Sequence, residues 1–185
     1  RCYGASVKNE KASMSRIPFQ ASQGVTLLEL MITVLILAVV AAIALPNFGT
    51  VIRANRVATS SNEFMASVAY ARSEAMRNNR GAVMCPSTDG LTCGGAWVNG
   101  WIVWADRNGN GLQGADEPPL RVQRALLRLT APGNTPIRFS PRGTIVSGPA
   151  AVVLQAEGCL SGEPYRRTLN ILGGGMVRME KGACV

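Results

Sequence analysis

One carboxylate breaks the longest apolar stretch of the chain: Glu29, five residues past Gly24 and inside residues 25–45. As a helix, 21 residues from Val25 to Leu45 span ~32 Å, against a bilayer hydrocarbon core of ~30 Å. An acid held at the bilayer centre costs roughly 2.5–3.5 kcal/mol, so by default it marks a function and calls for a charged mate. The bland alternative is that Glu29, near the end of the run, simply reaches the interface. Thr26 lies beside it and offers a hydroxyl.

A second constellation is Asp106-x-Asn108-x-Asn110-Gly111 with Glu117 in the twelfth position. These are oxygen ligands at calcium-loop spacing, with a glycine for the sharp turn. A tryptophan-rich segment precedes the loop and Pro118-Pro119 follows it, which is not the helical setting of such loops. Asn-Gly is equally a hairpin turn, so a plain loop and a calcium site both stand.

Cys2 aside, four cysteines remain: Cys85, Cys93, Cys159 and Cys184. Four cysteines allow three pairings. Cys85–Cys93 and Cys159–Cys184 are favoured, the first stapling a Pro/Ser/Gly-rich loop and the second tying the last strand to an earlier one. Loop entropy assigns them roughly 2.5 and 3.5 kcal/mol. Zinc is the alternative, but the chain has no histidine and no C-x-x-C.

Arg166, Arg167, Arg178 and Lys181 form the basic part of the tail. They suit phosphate contacts without sequence reading, or a solvated surface. Catalysis finds no support: there is no G-x-S-x-G elbow, no phosphate loop and no carboxylate pair that can be placed in a cleft. Gly173-Gly174-Gly175 reads as a turn between strands. No resident cofactor is expected, calcium apart.

These residues must be carried by two kinds of structure. After Pro46, expected to loosen or kink the helix, Ala54, Val57, Ala58, Ser61, Met65, Val68, Arg72 and Ala75 recur at mostly three- and four-residue steps. The pattern predicts an amphipathic helix ending near Asn78-Asn79-Arg80-Gly81. Phe64, Met65 and Met76 are expected in its core contacts. Beyond it, residues 82–85, 97–105, 120–129, 137–140, 144–146, 151–155, 168–172 and 176–180 read as short strands between turn residues. Helix first and antiparallel strands afterwards is an α+β layout. The expected organisation is a leader over 1–24, an assembly helix over 25–45, its amphipathic extension over 46–80, and a β-rich head over 81–185.

Gly24-Val25-Thr26-Leu27-Leu28-Glu29-Leu30-Met31 resembles the leader junction of type IV pilins and type II secretion pseudopilins. The resemblance implies cleavage after Gly24 by a prepilin peptidase and methylation of the new N-terminus at Val25, where the family usually has Phe. It makes Glu29 the fifth mature residue, paired with the α-amine of a neighbouring subunit, and Pro46 the twenty-second. Tyr70-Ala71-Arg72-Ser73-Glu74-Ala75, the Cys85–Cys93 loop and residues 101–110 followed by Leu120-Arg121 narrow the resemblance to GspH/FimT-type minor pilins. A long helix packed on a β-sheet head is the implied fold. The implied role is non-enzymatic: a subunit that primes a filament or forms its tip, with other pilins or pseudopilins as partners. DNA-binding members carry Gly-Arg-x-Arg near the C-terminus; the corresponding stretch here is Gly175-Met176-Val177-Arg178, without the first arginine. DNA is thus a further candidate partner, in an uptake role.

Charge and targeting fit this frame. The formal net charge is +8; residues 1–24 hold Arg1, Lys8, Lys11 and Arg16 against Glu10, leaving +5 on the remainder. Dispersed arginine suits a solvated surface, and few aromatics argue against a base-stacking platform. Residues 1–13 contain no Met, and Met14 opens a short leader, so translation is expected to start there. Ala42-Ile43-Ala44 offers a rival signal-peptidase site, but the apolar region is long for a signal and carries Glu29. The resemblance implies an inner-membrane protein, single-pass in its lipid, with the N-terminus cytoplasmic and the head periplasmic, and then a place in a surface filament.

Overall fold

The computed structural model describes residues 24–185, with backbone alone over 43–48. Two compact units divide at Ile43 and Ala44. Helix α1 (Leu27–Asn78) contributes residues to both. In the first unit every described side chain from Gly24 to Ala42 is exposed. Among the described residues, no helix is long and apolar enough to cross a membrane. The apolar run continues in sequence to Leu45, past the described side chains. The helix assignment is continuous through Pro46, and the leader residues 1–23 lie outside the described residues.

The second unit packs the rest of α1 against nine short strands. Val57, Ser61, Phe64, Ser67, Val68, Ala71 and Ala75 are buried, the three-and-four periodicity of one helix face. Two of these are polar, and their hydroxyls donate to carbonyls one turn back, Ser61 to Val57 (2.7 Å) and Ser67 to Glu63 (2.8 Å). That removes the cost of burying them unpaired. The helix stops because Asn79 turns left-handed (φ 54°) while Asn78 Oδ1 accepts the amides of Arg80 and Gly81. The Asn78 side chain thus satisfies the first amides past the helix, and its own Nδ2 donates to the Gly81 carbonyl.

Strands β1 (Ala82–Pro86), β2 (Trp101–Ala105), β3 (Pro119–Gln123), β4 (Leu129–Thr130), β5 (Ile137–Phe139), β6 (Ile145–Ser147), β7 (Ala151–Ala156), β8 (Arg166–Ile171) and β9 (Val177–Gly182) follow. They form a five-stranded sheet ordered β3-β2-β1-β5-β6 and a four-stranded sheet ordered β4-β7-β8-β9. All pairings are antiparallel, as expected of an α+β chain whose strands are joined by short turns.

β1 and β2 are buried on both faces. On one face Trp101 and Val103 join Phe64; on the other, Ile102 and Trp104 cluster with Val83 and Cys85. Phe64 lies 5.3 Å from both Trp97 and Trp101, edge-on to each, a geometry favoured by aromatic quadrupoles.

Three sequence expectations are corrected. Residues 97–99 form a single 3-10 turn rather than the start of a strand. The expected strand 120–129 is two strands with a turn between, because β3 runs out of partner at Gln123, opposite Trp101. Gly100, at φ 105°, lets the backbone pass so near the Gln123 carbonyl that no side chain fits there. Met76 is 46% exposed, on the helix edge instead of in the core; Met65 packs partly buried against it.

Candidate functional site

The N-terminal junction is built by one helix cap. Thr26 Oγ1 accepts the amide of Glu29 (3.2 Å), and the Thr26 carbonyl accepts the amide of Leu30 (3.1 Å). Thr26 is therefore an N-cap residue, and its hydroxyl is engaged by the backbone of Glu29 rather than offered to its carboxylate. That cap fixes Glu29 in the first turn of α1, where the helix dipole favours negative charge. The Glu29 carboxylate has no hydrogen bond or ion pair among the described residues. Around it, Val25, Leu27, Leu28, Leu30 and Ile32 are 68, 79, 68, 57 and 51% exposed. An acid among uncovered apolar side chains is incomplete chemistry: a desolvated carboxylate needs a cation when this surface is covered.

In the loop after β2 the carboxylates accept from the loop's own amides. Glu117 is buried; its Oε1 accepts the amides of Arg107 (2.7 Å) and Asn108 (3.3 Å), and its Oε2 that of Gly114 (2.9 Å). Asp106 Oδ2 accepts the amide of Gly111 (2.8 Å), while Asn108 and Asn110 each accept an amide two residues on. The Arg138 guanidinium stands 3.8 Å from Asp106 and lies where a side chain on Gly111 would be. The cation facing this loop is thus part of the chain. Among the described residues no group of three or more His, Cys, Asp or Glu is placed to hold a metal. Oxygens of Asp106, Asn108, Asn110 and Glu117 thus order the loop through its own amides, while the buried Asp106 Oδ1 has no hydrogen-bond partner.

Two disulfides are present, Cys85–Cys93 and Cys159–Cys184, with Cα separations of 5.5 and 6.2 Å. The first folds a loop over the second face of the five-stranded sheet, where Trp104 Nε1 donates to Cys93 Sγ (3.4 Å). Asp89 organises that loop, accepting from the Thr92 amide, the Leu91 amide, the Thr92 hydroxyl and Ser87. Led by the Thr92 and Leu91 amides, these bonds hold its carboxyl well below the usual carboxylate range. Gln113 joins the two loops, accepting from the Cys93 amide and donating to the Leu91 carbonyl.

The basic residues of the tail are not gathered into one patch. Arg167 is buried and donates to the carbonyls of Pro164 and Arg166. Arg178 pairs with Glu180 at 3.5 Å. In register, Arg167 stands opposite Lys181 and Asn170 opposite Arg178. Strand alternation thus puts Arg166 and Arg178 on one face and Arg167 and Lys181 on the other. Folding thus divides the sequence grouping between the two faces of the sheet.

Two charged features escaped the sequence reading. Glu74, buried on the helix, is held by a two-pronged bond from Arg77 (2.8 and 2.7 Å); their i, i+3 spacing was a usable signal. Arg53, Arg56 and Arg128 line one small cavity, and no local sequence pattern joins residue 128 to the other two.

Two family matches give this layout its class, that of the structural pilins and pseudopilins rather than of enzymes. Residues 20–45 match the prokaryotic N-terminal methylation motif. Residues 60–175 match the family described as Type II transport protein GspH, and the chain belongs to that family. No curated protein matches the chain. It is similar to two crystal forms of the type IV minor pilin FimU of Pseudomonas aeruginosa PAO1, at 24% identity in both. They cover 68 and 66% of this chain and 89 and 90% of that one, with TM-scores of 0.48 and 0.45.

Proposed function

We propose that this chain is a minor pilin, cut by a prepilin peptidase between Gly24 and Val25, methylated on Val25, and built into a type IV pilus as a priming or tip subunit. Before assembly, residues 25–45 anchor it once through the inner membrane, with the head (81–185, on the 46–80 helix) in the periplasm. On assembly Glu29 pairs with the Val25 α-amine of an adjacent subunit. The observation that carries this reading is the Glu29 carboxylate, without a partner among the described residues and fixed by the Thr26 cap among uncovered apolar side chains. Burying that surface against like helices gains roughly 25 cal/mol per Å² but fixes no register; one desolvated ion pair does, since a misaligned neighbour leaves both charges bare. N-terminal sequencing of protein from membranes should return methyl-Val25; a start at Leu45 overturns the proposal.

The family's description as a type II transport protein favours one second reading, a pseudopilin of a secretion system. Loss of protein secretion with intact pili in a deletion strain selects it; loss of pili with intact secretion selects the first.

A further inference from the structure

Within the second unit, three arginines converge beside the helix. Arg53, Arg56 and Arg128 line a cavity of about 70 Å³ together with Leu129, Ala156 and Glu157. Arg53 and Arg56 are neighbours one turn apart on α1. Arg128 arrives from the turn before β4 in a left-handed conformation (φ 56°), its carbonyl accepting the Glu157 amide at 3.0 Å. Arg53 faces Glu163 at 3.8 Å. The guanidinium groups of Arg56 and Arg128 have no hydrogen bond or ion pair among the described residues. Two unused planar donor forks around a small cavity suit the oxygens of a phosphate.

The rim decides which phosphate. Val51, Ile52, Leu127 and Leu160 are 53, 38, 78 and 73% exposed. Ile52 and Leu127 line a neighbouring groove that Arg56 shares. The Leu160 amide donates to Glu163 Oε2 (2.7 Å), the carboxylate that faces Arg53. Cationic heads beside bare aliphatic side chains match a lipid surface, where the aliphatic groups enter the acyl boundary and the cations stay at headgroup level. A nucleic-acid backbone offers nothing to those leucines. Arg53 and Arg56 also follow Leu45 by eight and eleven residues, about 12 and 16 Å along a helix.

We propose that the Arg53–Arg56–Arg128 cleft binds the phosphate of a membrane phospholipid, with Leu127 and Leu160 entering the acyl boundary, so that the head rests on the membrane before assembly. This rests on the reading of residues 25–45 as the anchor. The test is native mass spectrometry of the full chain in detergent, titrated with dioctanoyl-phosphatidylglycerol. Wild-type protein should bind one lipid; Arg56→Gln with Arg128→Gln should weaken that binding at least tenfold, and Leu127→Ser with Leu160→Ser about threefold. Arg142→Gln, outside the cleft, should bind as wild type, and thermal unfolding should be the same in all. Unchanged binding in the double arginine variant overturns the proposal, as does displacement of the lipid by equimolar inorganic phosphate or short duplex DNA. Alkaline extraction of the same membranes separates the two failures. Release of wild-type protein refutes the anchor, whereas retention with unaltered lipid binding in the double arginine variant refutes the cleft alone.

Discussion

Residues 24–42 bury none of their described side chains, although most are aliphatic, whereas the unit from Ala44 onward places Phe64, Trp97, Trp101 and Trp104 at 1% exposure or less. One region completes its core alone; the other leaves its aliphatic side chains uncovered. Their polar groups follow the same division. In the head, buried Glu74 and Glu117 are satisfied within the chain, while Glu29 has only its backbone capped. The head's exception is Asp106, whose buried Oδ1 has no hydrogen-bond partner, but its other oxygen accepts the Gly111 amide and faces Arg138, whereas the Glu29 carboxylate has no partner among the described residues.

The largest effect should come from the self-sufficient region. Phe64→Ala removes a ring wedged between Trp97 and Trp101 and should cost about 3–5 kcal/mol, measured by denaturant unfolding of the detergent-solubilised chain with tryptophan fluorescence. Leu35→Ala, in the uncovered region, should shift the same midpoint by less than about 0.5 kcal/mol. Equal shifts would erase the contrast. Next, replacing Cys159 and Cys184 by serine should destabilise the head by roughly 3.5 kcal/mol, and replacing Cys85 and Cys93 by roughly 2.5, following their separations of 25 and 8 residues. Thr26→Ala should fray the start of α1 by about 1 kcal/mol, seen as faster amide exchange at Glu29 and Leu30 with no change in the head.

The smallest effect is acid-dependent and local. The folded Asp89 carboxyl lies below its unfolded value, so its contribution is complete above about pH 4, the ordinary aspartate range, and fades as pH falls from there. Exchange at the Leu91 and Thr92 amides should accelerate over that window beyond the general trend, and Asp89→Asn should abolish the extra dependence.

Much of this division can be read from residues alone, because periodicity reports burial. The 57–75 helix face, the turn at Gly173–Gly175 and the alternating strand at 151–155 follow from local spacing, and the structure keeps them. Met76 continues the helix pattern yet is exposed, because it lies at the edge of a face whose buried centre is held by Ala71 and Ala75. The 120–129 run looks continuous because strand propensity cannot see that Gln123 is the last residue with a partner. The calcium-like loop illustrates a further limit. Its spacing of oxygens is what a metal requires, but it is also what a loop needs to satisfy its own amides, and Arg138, remote in sequence, supplies the positive charge. The arginine trio at 53, 56 and 128 was illegible for the same reason: it exists only once the turn before β4 is laid beside α1.

The central claim is that Glu29 finds its ionic partner only in a neighbouring subunit. Its most direct test is the amount of Glu29→Ala protein in sheared filaments, measured against its processed, membrane-resident pool. Processing at Val25 should remain normal while the variant is absent from filaments or reduced at least tenfold. Incorporation at wild-type levels would contradict the account.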